Sequence, residues 1–274
     1  MPLATHRGWT HSLLGGVLFM PPLLAGLLWL LDRWQIKRGA TFASGLEMRF
    51  GWLVALSYLG TLTHPLLDWQ TSYAVQLFAP FDRRWYHTDT LFIVDVWIWL
   101  GLGAAIWWSR RCEARGGRWR APPTIALAAV VAYVLGNGAI TTFAREAPFG
   151  DRSQPRAMVM VASPPPVLWW RRDLAWREGH DIWRSHYDPL HTDGRVLDLA
   201  GPYPDGMTLP AVRRAARANA GIETFMRWSI LPMATATTTM CGTMVKFSDA
   251  RYPAALGGDR LGRTVFLPTG GRGC

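Results

Sequence analysis

The chain has 274 residues, 50% of them hydrophobic, with 16 Trp and a formal net charge of +10. That length allows two modest domains, or one membrane bundle with a soluble part attached. Nucleic acid is not an expected partner, because the basic residues sit in short loops beside apolar runs instead of on one groove-fitting element. Cys112, Cys241 and Cys274 show no CxxC spacing, which argues against a cysteine zinc site.

A mean hydropathy of +0.06 averages over two unlike halves. Residues 1–143 hold nearly all the long apolar runs. Almost at the start of the chain stands "HRGWTHS" (6–12), directly before the first run, "SLLGGVLFMPPLLAGLLWLL" (12–31). The charged start is short and the run lacks a small-residue cleavage site, so it reads as a retained span and not a cleavable signal. His6 and His11 are five apart, roughly 140° on a helix, so they cannot share a helical face. One is expected in the loop around Gly8 and the other in the first turn, with Thr10 as a candidate cap.

The second run, "FGWLVALSYLGTLTHPLLDW" (50–69), carries His64 and Asp68 near its end. These are i and i+4, about 40° apart around a helix, so both can point at one ion. Pro65 between them removes a backbone donor and is expected to bend the helix. The third run, "TLFIVDVWIWLGLGAAIWW" (90–108), follows His87 and Asp89 and contains Asp95. Asp89 is expected on the loop and Asp95 within the span. The fourth, "TIALAAVVAYVLGNGAITTF" (124–143), carries no charge. All four approach the ~20 apolar residues that a bilayer requires, with Trp near their ends as in an aromatic belt.

Loop charge orients the spans. Loop 32–49 carries Arg33, Lys37, Arg38 and Arg49, and loop 109–123 carries Arg110, Arg111, Arg115, Arg118 and Arg120. Positive loops favour the cytoplasm, so the N-terminus, loop 70–89 and everything after residue 143 are expected outside. That places His6, His11, His64, Asp68, Asp89 and Asp95 at one level on one side. Imidazole with carboxylate suits Zn²⁺, Fe or Mn²⁺, and an ionisable residue inside a span needs a partner to justify its cost.

In the tail, "AMVMVA" (157–162), "RVLDLA" (195–200), "GTMVKFSDARY" (242–252) and "RTVFLP" (263–268) read as strands between Pro/Gly/Asp turns. "PAVRRAARANAGIETFMRW" (210–228) reads as helix, and "SPPPVLWWRRDLAW" (163–176) as extended at its prolines. "HDIWRSHYDPLH" (180–191) has metal-ligand residue types, but its polar, strand-rich context favours surface histidines. Cys241 and Cys274 can pair if this region is exported.

"HRGWTHSLLG", "YLGTLTHPLLDW" and "WYHTDTLFIVDVWIWL" together resemble the YdjM-like family of inner-membrane metal-dependent hydrolases. The resemblance falls on His6, Arg7, Thr10, His11 and Ser12, on His64 and Asp68, and on Asp89 and Asp95. "ASPPPVLWWRRDLAW" and "VKFSDARY" are similar to the family's C-terminal region. Family members carry a further N-terminal segment, with T-H and P-D-x-D motifs, before the first histidine motif; this sequence does not contain it. HxxxD is also distantly similar to zinc-dependent phospholipases.

The expectation is a mainly α fold: a four-helix transmembrane bundle (1–145) carrying the metal site, and a soluble, strand-rich α+β domain (146–274). The function expected is a multi-pass, inner-membrane, metal-dependent hydrolase with a periplasmic C-terminal domain and a phosphoester or lipid-like substrate at the membrane face. Its cofactor would be a divalent metal, Zn²⁺ first among the candidates. His6, His11, His64 and Asp68 are the expected metal ligands. Arg7, Asp89 and Asp95 are the expected catalytic residues, Arg7 to neutralise an anionic substrate or developing oxyanion and the two aspartates as further ligands or supporting carboxylates. The expected partners are the lipid bilayer and a small-molecule or lipid substrate. A non-enzymatic membrane scaffold or stress-response protein, with a structural metal and a partner-binding tail, is the alternative. A transporter would need polar residues through the midplane, where only Asn137 and Ser57 approach.

Overall fold

The computed structural model describes residues 7–41, 47–149, 159–191, 193–252 and 261–268. The chain divides into two compact units, Met1–Trp69 with Tyr73–His87, and Gln70–Ser72 with Thr88–Cys274. His6 lies outside the described residues, as does Cys274.

In the first unit a 3-10 turn, Trp9–His11, leads into a π-helix, Leu13–Phe19, which continues as α1, Met20–Lys37. Pro21 and Pro22 at the start of α1 have no N–H to give to the preceding carbonyls. The Leu18 carbonyl instead accepts a long hydrogen bond, 3.4 Å, from the hydroxyl of Tyr58 on α2, Phe50–Trp69. Ser12, not Thr10, caps the π-helix: its hydroxyl accepts from Gly15 N at 2.9 Å and donates to the Trp9 carbonyl at 2.8 Å. A hydroxyl two residues nearer the helix reaches the open amides that Thr10 cannot. After α2, the loop folds through an isolated bridge between Val75 and Tyr86.

In the second unit α3, Val96–Ala114, packs along α4, Ala121–Glu146. The helix α3 starts six residues later than the span expected from residue 90. Asp95 stands at its N-cap and not within it: the Asp95 carboxylate accepts from the amides of Trp97 at 3.1 Å and Ile98 at 3.2 Å. Beyond α4 lie two antiparallel sheets. The first is β1 (Met160–Ser163), β2 (Arg172–Glu178), β3 (Asp181–Tyr187) and β4 (Val196–Pro204) in sequential order. Leu174 and Trp176 of β2 pack with Ala144, Ala147 and Phe149 at and just after the end of α4. Ala175 and Ile182 pack the opposite way, against Leu231 and Ala250.

The segment expected as one helix over 210–228 is two, α5 (Pro210–Arg217) and α6 (Ala220–Trp228). Asn219 breaks it, because its side chain caps the second piece by accepting from Gly221 N at 2.6 Å. The strands β5 (Pro232–Thr239), β6 (Gly242–Asp249) and β7 (Arg263–Pro268) form the second sheet.

Three helices are long and apolar enough to cross a membrane: Leu13–Lys37, Phe50–Trp69 and Ala121–Glu146. The helix α3 is not among them; it is rich in Trp and closes on Arg110, Arg111 and Glu113. Large apolar side chains point outward along α2, α3 and α4, with Leu59 59%, Leu100 64% and Leu135 69% exposed. Exposed apolar surface of this extent marks lipid-facing helices, not those of a water-soluble bundle. The chain is therefore a helical membrane protein with a strand-rich C-terminal region.

Candidate metal centre

Three side chains of the first unit converge: His11, from the turn before the π-helix, and His64 and Asp68, from the end of α2. One potential ligand atom from each lies within 4.8 Å of the others. Asp68 Oδ2 faces His11 Nε2 at 3.6 Å and His64 Nε2 at 3.5 Å. Direct hydrogen bonds between such groups close to about 2.7–3.2 Å. Donors held by one tetrahedral cation at bond lengths of ~2.0–2.2 Å stand about 3.3 Å apart. The spacing and the donor set therefore fit a divalent cation. The two imidazoles are 5.1 Å between ring centres, tilted by 57°.

The pocket's walls are set by local sequence. The helical i,i+4 relation brings His64 onto the face of Asp68. His11 arrives because the chain before the π-helix doubles back against it. That approach requires glycine: a Cβ on Gly15 would meet the Trp9 carbonyl oxygen at 2.4 Å, and one on Gly16 the Thr10 carbonyl oxygen at 2.0 Å. Thr10 Oγ1 lies 2.9 Å from His11 Nδ1, so with Nδ1 protonated the ring presents Nε2 to Asp68.

Arg7 completes the cluster through the other carboxylate oxygen. Its guanidinium bonds Asp68 Oδ1 at 2.8 Å and stacks over the Tyr73 ring at 4.7 Å. Its backbone is left-handed, with φ 58°, and its carbonyl accepts from Gln76 N at 3.0 Å. A non-glycine residue held there is strained and must be fixed by its surroundings. The site grades outward: the side chains of Arg7 and Asp68 are 8% and 12% exposed, that of His64 64%. A ligand set with one exposed imidazole is reachable from outside.

Asp89 and Asp95 belong to the second unit and take partners there. Asp89 is fully buried, left-handed at φ 59°, and paired with Arg145 near the end of α4 at 2.7 Å. Asp95 accepts from the Tyr133 hydroxyl at 3.0 Å besides capping α3. These partners belong to a polar network that sequence reasoning missed. Arg172 of β2, fully buried, donates to Thr141 Oγ1 at 2.8 Å, to the Asn137 carbonyl at 2.8 Å and to Asn137 Oδ1 at 2.9 Å. Burial pushes its guanidinium down to about 10. The signal for the network was present: Tyr133, Asn137, Thr141 and Arg145 recur every four residues, a polar stripe along an otherwise apolar helix.

Apolar helices with a His, His, Asp cluster beside the first of them define a membrane protein with a candidate divalent-cation site. Residues 1–144 match the family described as YdjM inner membrane protein, and the chain belongs to that family. No curated protein and no solved structure matches the chain.

Proposed function

We propose that the chain is a multi-pass, inner-membrane, metal-dependent hydrolase whose site lies at the outer face of the membrane. The convergence of His11, His64 and Asp68 carries this reading. In it, α1 to α4 form a four-helix bundle within residues 1–145, and residues 146–274 form a periplasmic domain. The disulfide at Cys241 supports the location, since such bonds persist in oxidising compartments.

His11, His64 and Asp68 would hold the cation, with His6 a further ligand. Zn²⁺ suits imidazole and carboxylate donors, and a catalytic zinc keeps a position open for water. A bound divalent cation supplies Lewis acidity toward a phosphoryl or carbonyl oxygen and lowers the pKa of water. Asp68 acts as ligand through Oδ2, while Arg7 holds its carboxylate in place through Oδ1. Thr10 orients His11. His64 stands at the mouth, where substrate enters. Asp89 and Asp95 serve through structure in this reading, fixing the approach to α3. A phosphoester or lipid-like substrate fits a site at the level of the headgroups.

The test is hydrolysis of a chromogenic phosphodiester and of phospholipid by the Zn²⁺-loaded protein in mild detergent. Turnover that falls at least a hundredfold in Asp68→Asn and His64→Ala is expected. Equal turnover in parent and variants would overturn the hydrolase assignment. Metal bound one per chain without turnover, in parent and variants alike, would favour the structural-metal scaffold instead.

A further inference from the structure

The second unit holds an open apolar groove of about 580 Å³ between α3 and α4. Small residues (Gly101, Ala105, Ala126 and Ala129) line it together with Trp107 and Trp108. At Ile125 it meets a second pocket of about 500 Å³, lined by Gly117, Arg118, Trp119 and Arg120 of the α3–α4 turn. The groove thus runs from apolar walls to a cationic end.

That end is built, not frayed. Ser109 donates to the Trp119 carbonyl at 2.6 Å, and Gly116 turns the chain at φ 68°. Arg111 stacks on Trp107 at 4.3 Å and Arg120 on Trp119 at 4.9 Å, so the aromatic rings hold guanidinium groups at the rim. Arg110, Arg111, Arg115, Arg118 and Arg120 share residues 109–123 with a single acidic residue, Glu113. Among the described residues no carboxylate pairs with any of these five arginines. An amphiphile with an anionic head and an apolar tail matches both ends at once.

We propose that the α3–α4 groove is a binding site for one anionic phospholipid, with its phosphate at Arg118 and Arg120 and an acyl chain along Ala126 and Ala129. Basic pockets between helices on the cytoplasmic side have this selectivity, each arginine adding about 1 kcal/mol near an anionic surface. The groove volume lies within the ~300–1,000 Å³ of ordinary ligand sites. The inference rests on the reading that α3 and α4 both lie in the bilayer. It does not depend on the metal centre, so His64→Ala should leave it untouched.

The experiment is native mass spectrometry of the full chain in mild detergent. The probes are dioleoyl phosphatidylglycerol, dioleoyl phosphatidylcholine of the same tails, and glycerol phosphate as a tail-less head. One phosphatidylglycerol per chain should be retained over phosphatidylcholine, and glycerol phosphate should not bind. Arg118→Gln with Arg120→Gln should weaken phosphatidylglycerol about thirtyfold, while the double Lys variant keeps most binding. Ala129→Phe, which fills the groove, should also release the lipid; if it does not fold, the arginine variants decide. Equal retention of both lipids, or a double Gln variant that binds like the parent, would overturn the proposal. So would an Ala129→Phe that folds and keeps the lipid, or one that splits a dimer without moving the lipid, which would make a second copy the occupant.

Discussion

Asp68 divides its two oxygens between two tasks, one toward Arg7 and one toward the imidazoles. A carboxylate fixed on one side by a guanidinium cannot swing away from the other. Removing that support should weaken zinc affinity 10–100-fold, the usual cost of losing a group that orients a ligand. Arg7→Ala is thus expected to bind zinc more weakly by that factor, and Arg7→Lys less so, as read by competition with a chromogenic chelator. A different residue-scale balance holds the tail together. Asp249 and Arg251 form an ion pair whose side chains are both 0% exposed. Burial alone would raise the Asp249 carboxyl, but the Arg251 charge and hydrogen bonds from Arg251 and Ser229 outweigh it and hold it below its ordinary 3.8. A lowered folded-state value means that stability from this group is full above 3.8 and is lost as pH falls through the lower value. The unfolding midpoint should hold from neutral down to that region and drop only below it. Asp249→Asn leaves Arg251 buried and uncompensated, so a loss of about 3–5 kcal/mol is expected in denaturant unfolding at neutral pH.

At the scale of elements, the candidate metal centre depends on the backbone entering α1. Gly15 and Gly16 are the reason the His11 turn can lie against the π-helix. Gly16→Ala must displace the Thr10 carbonyl and should cost about 1–3 kcal/mol of local overpacking. Its expected signature is lost metal with helix content unchanged by circular dichroism; retained metal would mean that the turn reaches the site by another route. This scale also separates what was legible from what was not. His64 and Asp68 could be read because i,i+4 spacing is a local rule. His11 could be placed with them because successive spans return the chain to the same level. The Asp89–Arg145 pair could not, since 56 residues separate the partners and no local pattern joins them. The start of α3 was misplaced because β-branched and apolar residues before Asp95 look like span, whereas the carboxylate ends up capping the helix. The strands β2 and β3 escaped as strands because charges and Trp interrupt their alternation, although both faces of β2 are used. The single helix over 210–228 failed at Asn219, a residue whose side chain competes with helical hydrogen bonding.

At the scale of the whole molecule, apolar helices, a candidate cation site and a strand-rich region belong to one membrane protein. The cysteines offer a way to map it. Cys112 is free, at the end of α3, whereas Cys241 is disulfide-bonded, and its expected partner, Cys274, lies outside the described residues. In intact cells a membrane-impermeant maleimide should label Cys241 only after reduction and should not reach Cys112. Labelling of Cys112 in unbroken cells would reverse the topology. In the proposed function the imidazoles of His11 and His64 and the carboxylate of Asp68, drawn from the turn before α1 and the end of α2, hold one divalent cation. That role is tested most directly by metal content per chain in protein purified in mild detergent, comparing the parent with His11→Ala, His64→Ala and Asp68→Asn. One zinc per parent chain and a large loss in each variant are expected, with helix content preserved. Equal metal content in all four proteins would contradict it.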